Sequence, residues 1–180
     1  GKDEEHNAVI KERRNGQGAE VAGVTVEGKV AYLSLVQLQA GVTWQKSHYT
    51  RPEKWSKDSS VPAEKRIFRT PDWYGYFTAT YSPVKPLNIA LSGTYTGSMI
   101  VQHMKGYIPK DMAVTTPDFF DMNLKISYDF SLYKFITLQL NAGVQNIFNA
   151  YQRDFDQGKE RDSGYIYGPS MPVSYTHLRA

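Results

Sequence analysis

The chain carries six stretches in which apolar and polar residues alternate with a period of two. The clearest is ITLQLNAGVQNIFNAY at residues 136–151, where Ile, Leu, Ala and Val alternate with Thr, Gln, Asn and Gly over the first ten positions. Successive side chains of a β-strand point to opposite faces, so this spacing predicts a strand with one apolar face and one uncharged polar face. The same pattern predicts strands at residues 20–32, 35–49, 72–82, 88–103, 119–130 and 136–151.

The connections between the predicted strands alternate between short and long. Short turns span residues 33–35, 83–86 and 131–135, and long loops span residues 48–69, 104–118 and 150–171. The alternating part of each predicted strand has about ten to fourteen residues, enough for a tilted strand to cross a bilayer. Short turns at one end and long loops at the other are typical of outer-membrane barrels, which have small periplasmic turns and large extracellular loops.

Aromatic residues collect at both ends of the predicted strands. Those near the short turns are Tyr32, Tyr81, Tyr128, Phe130, Tyr133 and Phe135, and those near the long loops are Trp44, Tyr49, Trp73 and Phe148. Such girdles flank the apolar band of a transmembrane barrel. The sequence therefore predicts an all-β protein, an antiparallel transmembrane β-barrel. Six strands are fewer than the roughly eight of the smallest bacterial barrels, so we expect six consecutive strands of a larger barrel. Residues 1–18 are dense in charge and predict an exposed loop.

A barrel wall gives the two faces of each strand different surroundings. The side chains expected to face lipid are Val36, Leu38, Val42, Leu124, Ile126, Leu138, Leu140 and Val144. The side chains expected to face the lumen are Gln37, Gln39, Gln45, Gln139, Asn141 and Gln145. Amides rather than charges on the polar face suit a crowded, water-filled interior.

The composition excludes several other classes of protein. Hydrophobic residues make up 41% of the chain and mean hydropathy is −0.50, so no segment reaches the roughly 20 apolar residues of a spanning helix. The chain has no cysteine, which excludes disulfides and thiolate metal sites. The net charge is +3 and no basic stripe is present, so we expect no nucleic-acid partner.

Residues with possible chemistry are scattered. His6, His48, His103 and His177 lack metal-ligand spacing, although His103 continues the apolar face as far as its rim. DFDQGKERD, which contains Asp154, Asp156, Glu160 and Asp162, resembles only the start of a calcium loop, so we interpret it as a solvated loop. Ser98 lacks the glycine pattern of a nucleophile elbow and is interpreted as a lumen-facing hydroxyl. We therefore predict no metal, no cofactor and no enzymatic activity.

Beyond these patterns, particular runs of sequence resemble a known family. Gly-Val-x-Asn-Ile-Phe-Asn at residues 143–149 precedes a loop that ends in Gly-Pro-x-x-Pro at residues 168–172. Together with residues 20–49, 69–83, 91–103 and 117–130, these runs resemble the C-terminal part of the barrel of TonB-dependent outer-membrane receptors. The resemblance covers residues 19–172. It implies a plugged barrel of the roughly 22-stranded type, of which residues 1–172 form a C-terminal portion.

The resemblance implies active transport across the outer membrane of a Gram-negative-type cell. Receptors of this family bind a scarce nutrient such as a siderophore, cobalamin, haem or an oligosaccharide, here at the extracellular loops. TonB, driven by the inner-membrane proton gradient, pulls on a plug domain that fills the lumen. The implied partners are outer-membrane lipid, a small-molecule ligand, and TonB through a plug domain missing from this chain and expected before Gly1.

Two other functions remain open from the residues alone. One is a passive porin-like outer-membrane barrel, which would lack a plug, and the other is a soluble ligand-binding β-barrel or sandwich. The end of the chain departs from the family, because VSYTHLRA at residues 173–180 does not sustain the alternation or finish in an aromatic residue. It also resembles a translated sequencing adapter. We therefore expect residues 173–180 to be a non-native tail.

Overall fold

The regular structure of the described residues consists of β-strands. The computed structural model describes residues 2–16, 18–169 and 173–179. Its strands are β1 (Lys2–Gly16), β2 (Ala19–Tyr32), β3 (Val36–Glu53), β4 (Glu64–Arg66), β5 (Trp73–Val84), β6 (Leu87–Thr96), β7 (Ile100–His103), β8 (Met112–Thr115), β9 (Phe119–Tyr133), β10 (Ile136–Gln145) and β11 (Val173–Arg179). No helix long and apolar enough to pass through a membrane occurs within those ranges. The all-β class predicted from the alternation is confirmed.

The strands form one wide antiparallel sheet with a small second sheet beside it. The wide sheet has nine strands in the order β1-β2-β3-β5-β6-β9-β10-β11, and β4 pairs with β3. The main strands follow each other in chain order, so the sheet is a meander whose outer strands are β1 and β11. β7 and β8 pair only with each other, within the long connection between β6 and β9.

The hydrophobic core lies outside the wide sheet's central region. Its buried apolar side chains are Val61, Met99, Ile100, Val101, Phe119 and Tyr165, and all but Phe119 belong to the long connections. The chain exposes 12877 Å² to solvent, whereas a compact monomer of 20.4 kDa exposes about 8,800 Å². The excess follows because, within the described ranges, the wide sheet is a single layer and no second layer packs on it.

The N-terminal segment differs from its sequence-based prediction. Residues 1–18 are predicted to form a loop, but β1 occupies Lys2–Gly16 and pairs with β2 along its length. The prediction relied on charge density, and charge is tolerated on an outer strand because the pairing uses main-chain groups. The β1–β2 connection is also short although it lies at the end with the long connections, since Gly16 pairs with Ala19. The alternation of connection lengths therefore holds only after β2.

Two predicted strands end earlier than expected. The strand predicted at residues 88–103 breaks after Thr96, where the Gly97 N–H donates to the Trp73 carbonyl over 2.8 Å. A Cβ on Gly97 would lie 2.7 Å from that carbonyl oxygen, so the close approach requires glycine. The strand predicted at residues 136–151 ends at Gln145, because Asn146 has a left-handed backbone with φ of 52°.

The last strand pairs with β10. Leu140 is opposite Leu178 and Val144 is opposite Ser174. Main-chain pairing of this kind depends weakly on side-chain identity, so the expectation that residues 173–180 are non-native stays a prediction. Ala180 and residues 170–172 of the Gly-Pro-x-x-Pro motif lie outside the described residues.

Candidate functional site

Cross-strand pairing places the two predicted sets of side chains on opposite faces of the wide sheet. Directly paired residues share a face. One row of paired residues consists of Leu38, Ala79, Leu91, Leu124 and Val144. All eight apolar side chains expected to face lipid lie on this face, and all six amide side chains expected to face a lumen lie on the other.

In β3 and β10, several apolar side chains are more exposed than polar side chains close to them, although Gln37, Gln39 and Gln145 on the polar face are also exposed. Leu38 is 48% exposed and Val42 is 45% exposed, whereas Thr43 on the polar face is 9% exposed. In β10, Val144 is 40% exposed and Asn141 on the polar face is 6% exposed. A sheet protein folded in water has the opposite arrangement, because apolar burial is the main favourable term in folding.

Aromatic side chains meet at both ends of the apolar face. Trp44 and Trp73 pair near the long connections, with ring centroids 6.4 Å apart. Tyr128 and Phe130 lie 4.6 Å apart near the short turns. The predicted clustering at the two ends is therefore present in the sheet.

Three phenylalanine rings form a continuous row on the apolar face, which reaches the end of the sheet with the long connections. Phe77 stacks on Phe120 with a centroid distance of 6.3 Å, and Phe120 contacts Phe148 at 5.8 Å. The Phe77 ring covers Gly93, where a Cβ would lie 2.2 Å from the ring carbon Cε1. Glycine at position 93 is therefore required for this ring to lie flat on the sheet.

The polar face carries a hydrogen-bonded chain of side chains. The Ser127 hydroxyl donates to the Asn141 amide oxygen over 2.7 Å, and the Asn141 amide nitrogen donates to the Gln139 oxygen over 3.2 Å. The Gln139 amide nitrogen then donates to Asp129 over 2.9 Å. These bonds satisfy side chains that the sheet partly shields from water.

The other predicted lumen residues have different surroundings. The Gln45 side chain donates to the Pro71 carbonyl over 2.8 Å. Gln39 donates to the Tyr76 hydroxyl over 3.4 Å, and Tyr76 donates to Glu27 over 3.1 Å. Gln37 and Gln145 are exposed. Gln139 and Asn141 thus belong to one hydrogen-bonded network on the polar face, and Gln37 and Gln145 lie outside that network.

A compact group of polar and aromatic residues joins the long connections. We call it the loop cluster; its members are His103, Gln152, Asp154, Asp156, Asp162, Tyr165 and Tyr167. The His103 Nε2 atom lies 2.8 Å from both carboxylate oxygens of Asp156, and its ring stacks on Tyr165 at 3.7 Å between centroids. His103 is therefore not at the rim of the apolar face as predicted, because β7 leaves the wide sheet and buries this ring.

Two tyrosines share one carboxylate in the loop cluster. The Tyr165 hydroxyl donates to Asp154 Oδ2 over 2.5 Å, and the Tyr167 hydroxyl donates to Asp154 Oδ1. Burial, followed by the bond to Asp154, raises the pKa of Tyr165 far above its usual range and the pKa of Tyr167 to about 12. Burial alone raises the pKa of Asp154, but the hydrogen bonds that it accepts, led by those from the two tyrosines, together outweigh burial and lower that pKa overall.

The remaining members of the loop cluster hold the main chain. Gln152 donates to the Tyr165 carbonyl over 3.0 Å and accepts from the Tyr167 N–H over 3.1 Å. Asp162 accepts the N–H groups of Met104 and Gly164 over 2.8 and 2.9 Å. These bonds fix the connection after β10 against β7.

Each aspartate of DFDQGKERD accepts hydrogen bonds from the protein. Asp156 accepts from His103 and from the Asp162 N–H, and Asp154 and Asp162 are occupied as described above. No group of three His, Cys, Asp or Glu side chains suited to a metal ion occurs in the part of the chain that the structure describes. The aspartates therefore act as acceptors that organise the loop. The side chains of His6 and His177 lie outside the described ones.

Sequence reasoning missed two residues outside the loop cluster that hold the long connections, Asn146 and Arg69. Asn146 is 2% exposed, and its side chain bonds both the N–H and the carbonyl of Ala150. Arg69 donates to the carbonyl of Ile166 over 2.9 Å and to that of Gly164 over 2.5 Å. An asparagine at the point where the alternation stops, here after Gln145, is a recognisable turn signal, whereas nothing in the sequence indicates the partners of Arg69.

The loop cluster should weaken in acid and in strong alkali. Asp154 and Asp156 have a lowered pKa in the folded protein. Their contribution to the stability of the loop cluster is therefore complete above the ordinary aspartate pKa near 3.8, and it is lost as the pH falls through the lower folded values. Tyr165 and Tyr167 have a raised pKa in the folded protein. Their contribution to the stability of the loop cluster is therefore complete below about pH 10 and is lost at higher pH. Amide hydrogen exchange in β7, corrected for intrinsic rates, should show less protection at pH 3 than at pH 6. Constant protection over that interval would contradict this prediction, and Asp154→Asn should reduce the change.

Comparison with known proteins adds no family to this description. No model of a known protein family matches the chain. A search among curated proteins also found no match.

Proposed function

We propose that this chain is a C-terminal part of the barrel wall of a TonB-dependent outer-membrane receptor. The observation that carries the proposal is that one face of the wide sheet exposes apolar side chains, whereas the other carries a hydrogen-bonded polar network. Exposing apolar surface to water costs about 25 cal/mol per Å², and hydrocarbon removes that cost. If lipid covers the apolar face and water covers the polar face, each face meets a solvent of matching polarity.

The aromatic residues at the two ends of the sheet are also typical of a membrane environment. The aromatic pairs Trp44–Trp73 and Tyr128–Phe130 bracket an aliphatic band, as interfacial girdles do. The short turns would then face the periplasm and the long connections would face outside. The loop cluster would hold those outer connections in place above the lumen.

The free edges of the sheet support a larger barrel. Among the described residues, β1 and β11 each pair on one side only. An unpaired edge in hydrocarbon leaves main-chain donors and acceptors without partners, so a spanning sheet has to close. Further strands from the same polypeptide would supply that closure. The plug domain, TonB as partner and uptake of a scarce nutrient come to this proposal from the sequence resemblance.

Membrane association is the first test of the proposal. The complete polypeptide that carries this sequence should fractionate with the outer membrane, enter the detergent phase on extraction, and migrate faster on gels when unheated. A folded protein that stays in the aqueous phase without detergent would overturn the membrane function. Uptake that persists after the proton gradient is collapsed would instead favour a passive porin-like barrel.

A further inference from the structure

A cavity of about 280 Å³ opens at the long-connection end of the polar face. Its walls come from β6, from the start of β9 and from the segment that follows Tyr165. The lining residues are Thr94, Thr96, Phe119, Asp121, Tyr167, Gly168 and Pro169. We call this space the Asp121 cavity. It lies next to the loop cluster, because Tyr167 belongs to that cluster and also lines the cavity. The proposed receptor function does not involve this cavity.

Asp121 is the one charged residue among those that line this cavity. Its Oδ1 atom is shielded from solvent and has no hydrogen-bond partner among the described residues. Other aspartates of the long connections differ, because Asp111 accepts from Ser56 and from the Lys105 N–H, and Asp118 accepts from Tyr95. A shielded carboxylate oxygen without a donor is costly, so the Oδ1 atom of Asp121 favours a ligand that brings N–H or O–H groups.

The other walls of the cavity favour a cationic partner. The rings of Phe119 and Tyr167 lie 5.9 Å apart at an angle of 48°. Aromatic faces attract ammonium and guanidinium groups within about 6 Å. The Tyr167 ring is held in place because its hydroxyl donates to Asp154. Thr94 and Thr96 line the same space, and a threonine hydroxyl can accept a hydrogen bond from a cation's N–H group.

We propose that the Asp121 cavity binds the ammonium or guanidinium end of a cationic ligand. The Asp121 carboxylate supplies the opposite charge, the Phe119 and Tyr167 rings form one wall against the cation, and the threonine hydroxyls accept its remaining donors. The volume suits such a group with a short stem rather than a whole large ligand. This proposal rests on the proposed receptor function only for the ligand's role as cargo, since binding itself requires just the cavity.

The test uses n-butylammonium as the probe and n-butanol as its neutral counterpart of the same size. Both are titrated into the complete detergent-solubilised polypeptide and followed by saturation-transfer NMR. We expect saturable binding of n-butylammonium and none of n-butanol. Asp121→Asn should weaken n-butylammonium binding at least tenfold, since it removes the charge but keeps the shape. Asp72→Asn, an exposed carboxylate at the same end of the sheet, is the matched control and should leave binding unchanged.

A second variant covers the case in which Asp121→Asn does not fold. Thr94→Val keeps the size of its side chain and removes one acceptor, so it should weaken binding by a few fold. Equal binding by the wild type and a folded Asp121→Asn variant, or equal binding of the two probes, would overturn the proposal. So would an absence of binding, which is the result expected if a Lys or Arg of the same polypeptide fills the cavity. Any of these results in a protein that still partitions into detergent would leave the receptor proposal intact.

Discussion

Replacing Leu91 by arginine should lower the free energy of unfolding from a bilayer by about 2–4 kcal/mol. Leu91 lies midway along β6 and pairs with Ala79 and Leu124 on the apolar face, far from both aromatic ends. In a membrane wall the new guanidinium would have to enter hydrocarbon near the midplane. Equilibrium denaturation of the polypeptide folded into lipid vesicles, followed by tryptophan fluorescence, measures this cost.

Ser92→Arg is the matched control because Ser92 is the next residue and lies on the opposite face. It pairs with Thr78 and Asn123, which are also polar. On a water-filled side its cost should stay below about 1 kcal/mol. Equal costs for the two variants would contradict the assignment of faces. A Leu91→Arg cost below about 0.5 kcal/mol would indicate that the apolar face meets water.

Tyr165→Ala should reduce the free energy of local opening of the loop cluster by about 3–5 kcal/mol, the usual range for a buried aromatic ring. Tyr165 is 2% exposed, stacks on His103 and packs against Met99 and Val101. Its removal would leave a cavity at the centre of the only hydrophobic cluster identified among the described residues. Native-state hydrogen exchange of the β7 amides reports this local opening.

Tyr165→Phe separates the ring from its hydroxyl. The ring and its stack on His103 remain, and only the hydrogen bond to Asp154 is lost, so we expect a cost of about 1–2 kcal/mol. If Tyr165→Ala leaves β7 protection unchanged, the loop cluster does not hold the long connections. If both variants cost the same, the ring contributes nothing beyond its hydroxyl.

Most of the wide sheet was predictable because strand alternation is a local property. The period of two in residues 119–130 and 136–151 identifies strands and their faces without knowledge of any partner. The errors lie where tertiary contacts override the local pattern. The strand predicted at residues 88–103 breaks because Gly97 approaches the Trp73 carbonyl, and alternation continues past that point in the sequence.

The N-terminal segment shows the opposite error. Its charges and glycines predict a loop, yet β1 pairs with β2 over most of its length. Main-chain groups of β2 provide partners regardless of side-chain polarity, so a charge-rich segment can form an outer strand. The preference for strand depends on the neighbour more than on the sequence of the segment itself.

The sequence by itself determined six strands of the wide sheet (β2, β3, β5, β6, β9 and β10), their two faces and the aromatic ends of the apolar face. Each of these depends on spacings of a few residues along one strand. Only the tertiary structure decided the loop cluster and the Asp121 cavity. His103 meets Asp156 across 53 positions of sequence, and Arg69 meets Gly164 across 95. Such contacts depend on how the long connections fold over the sheet, and no local spacing encodes that arrangement.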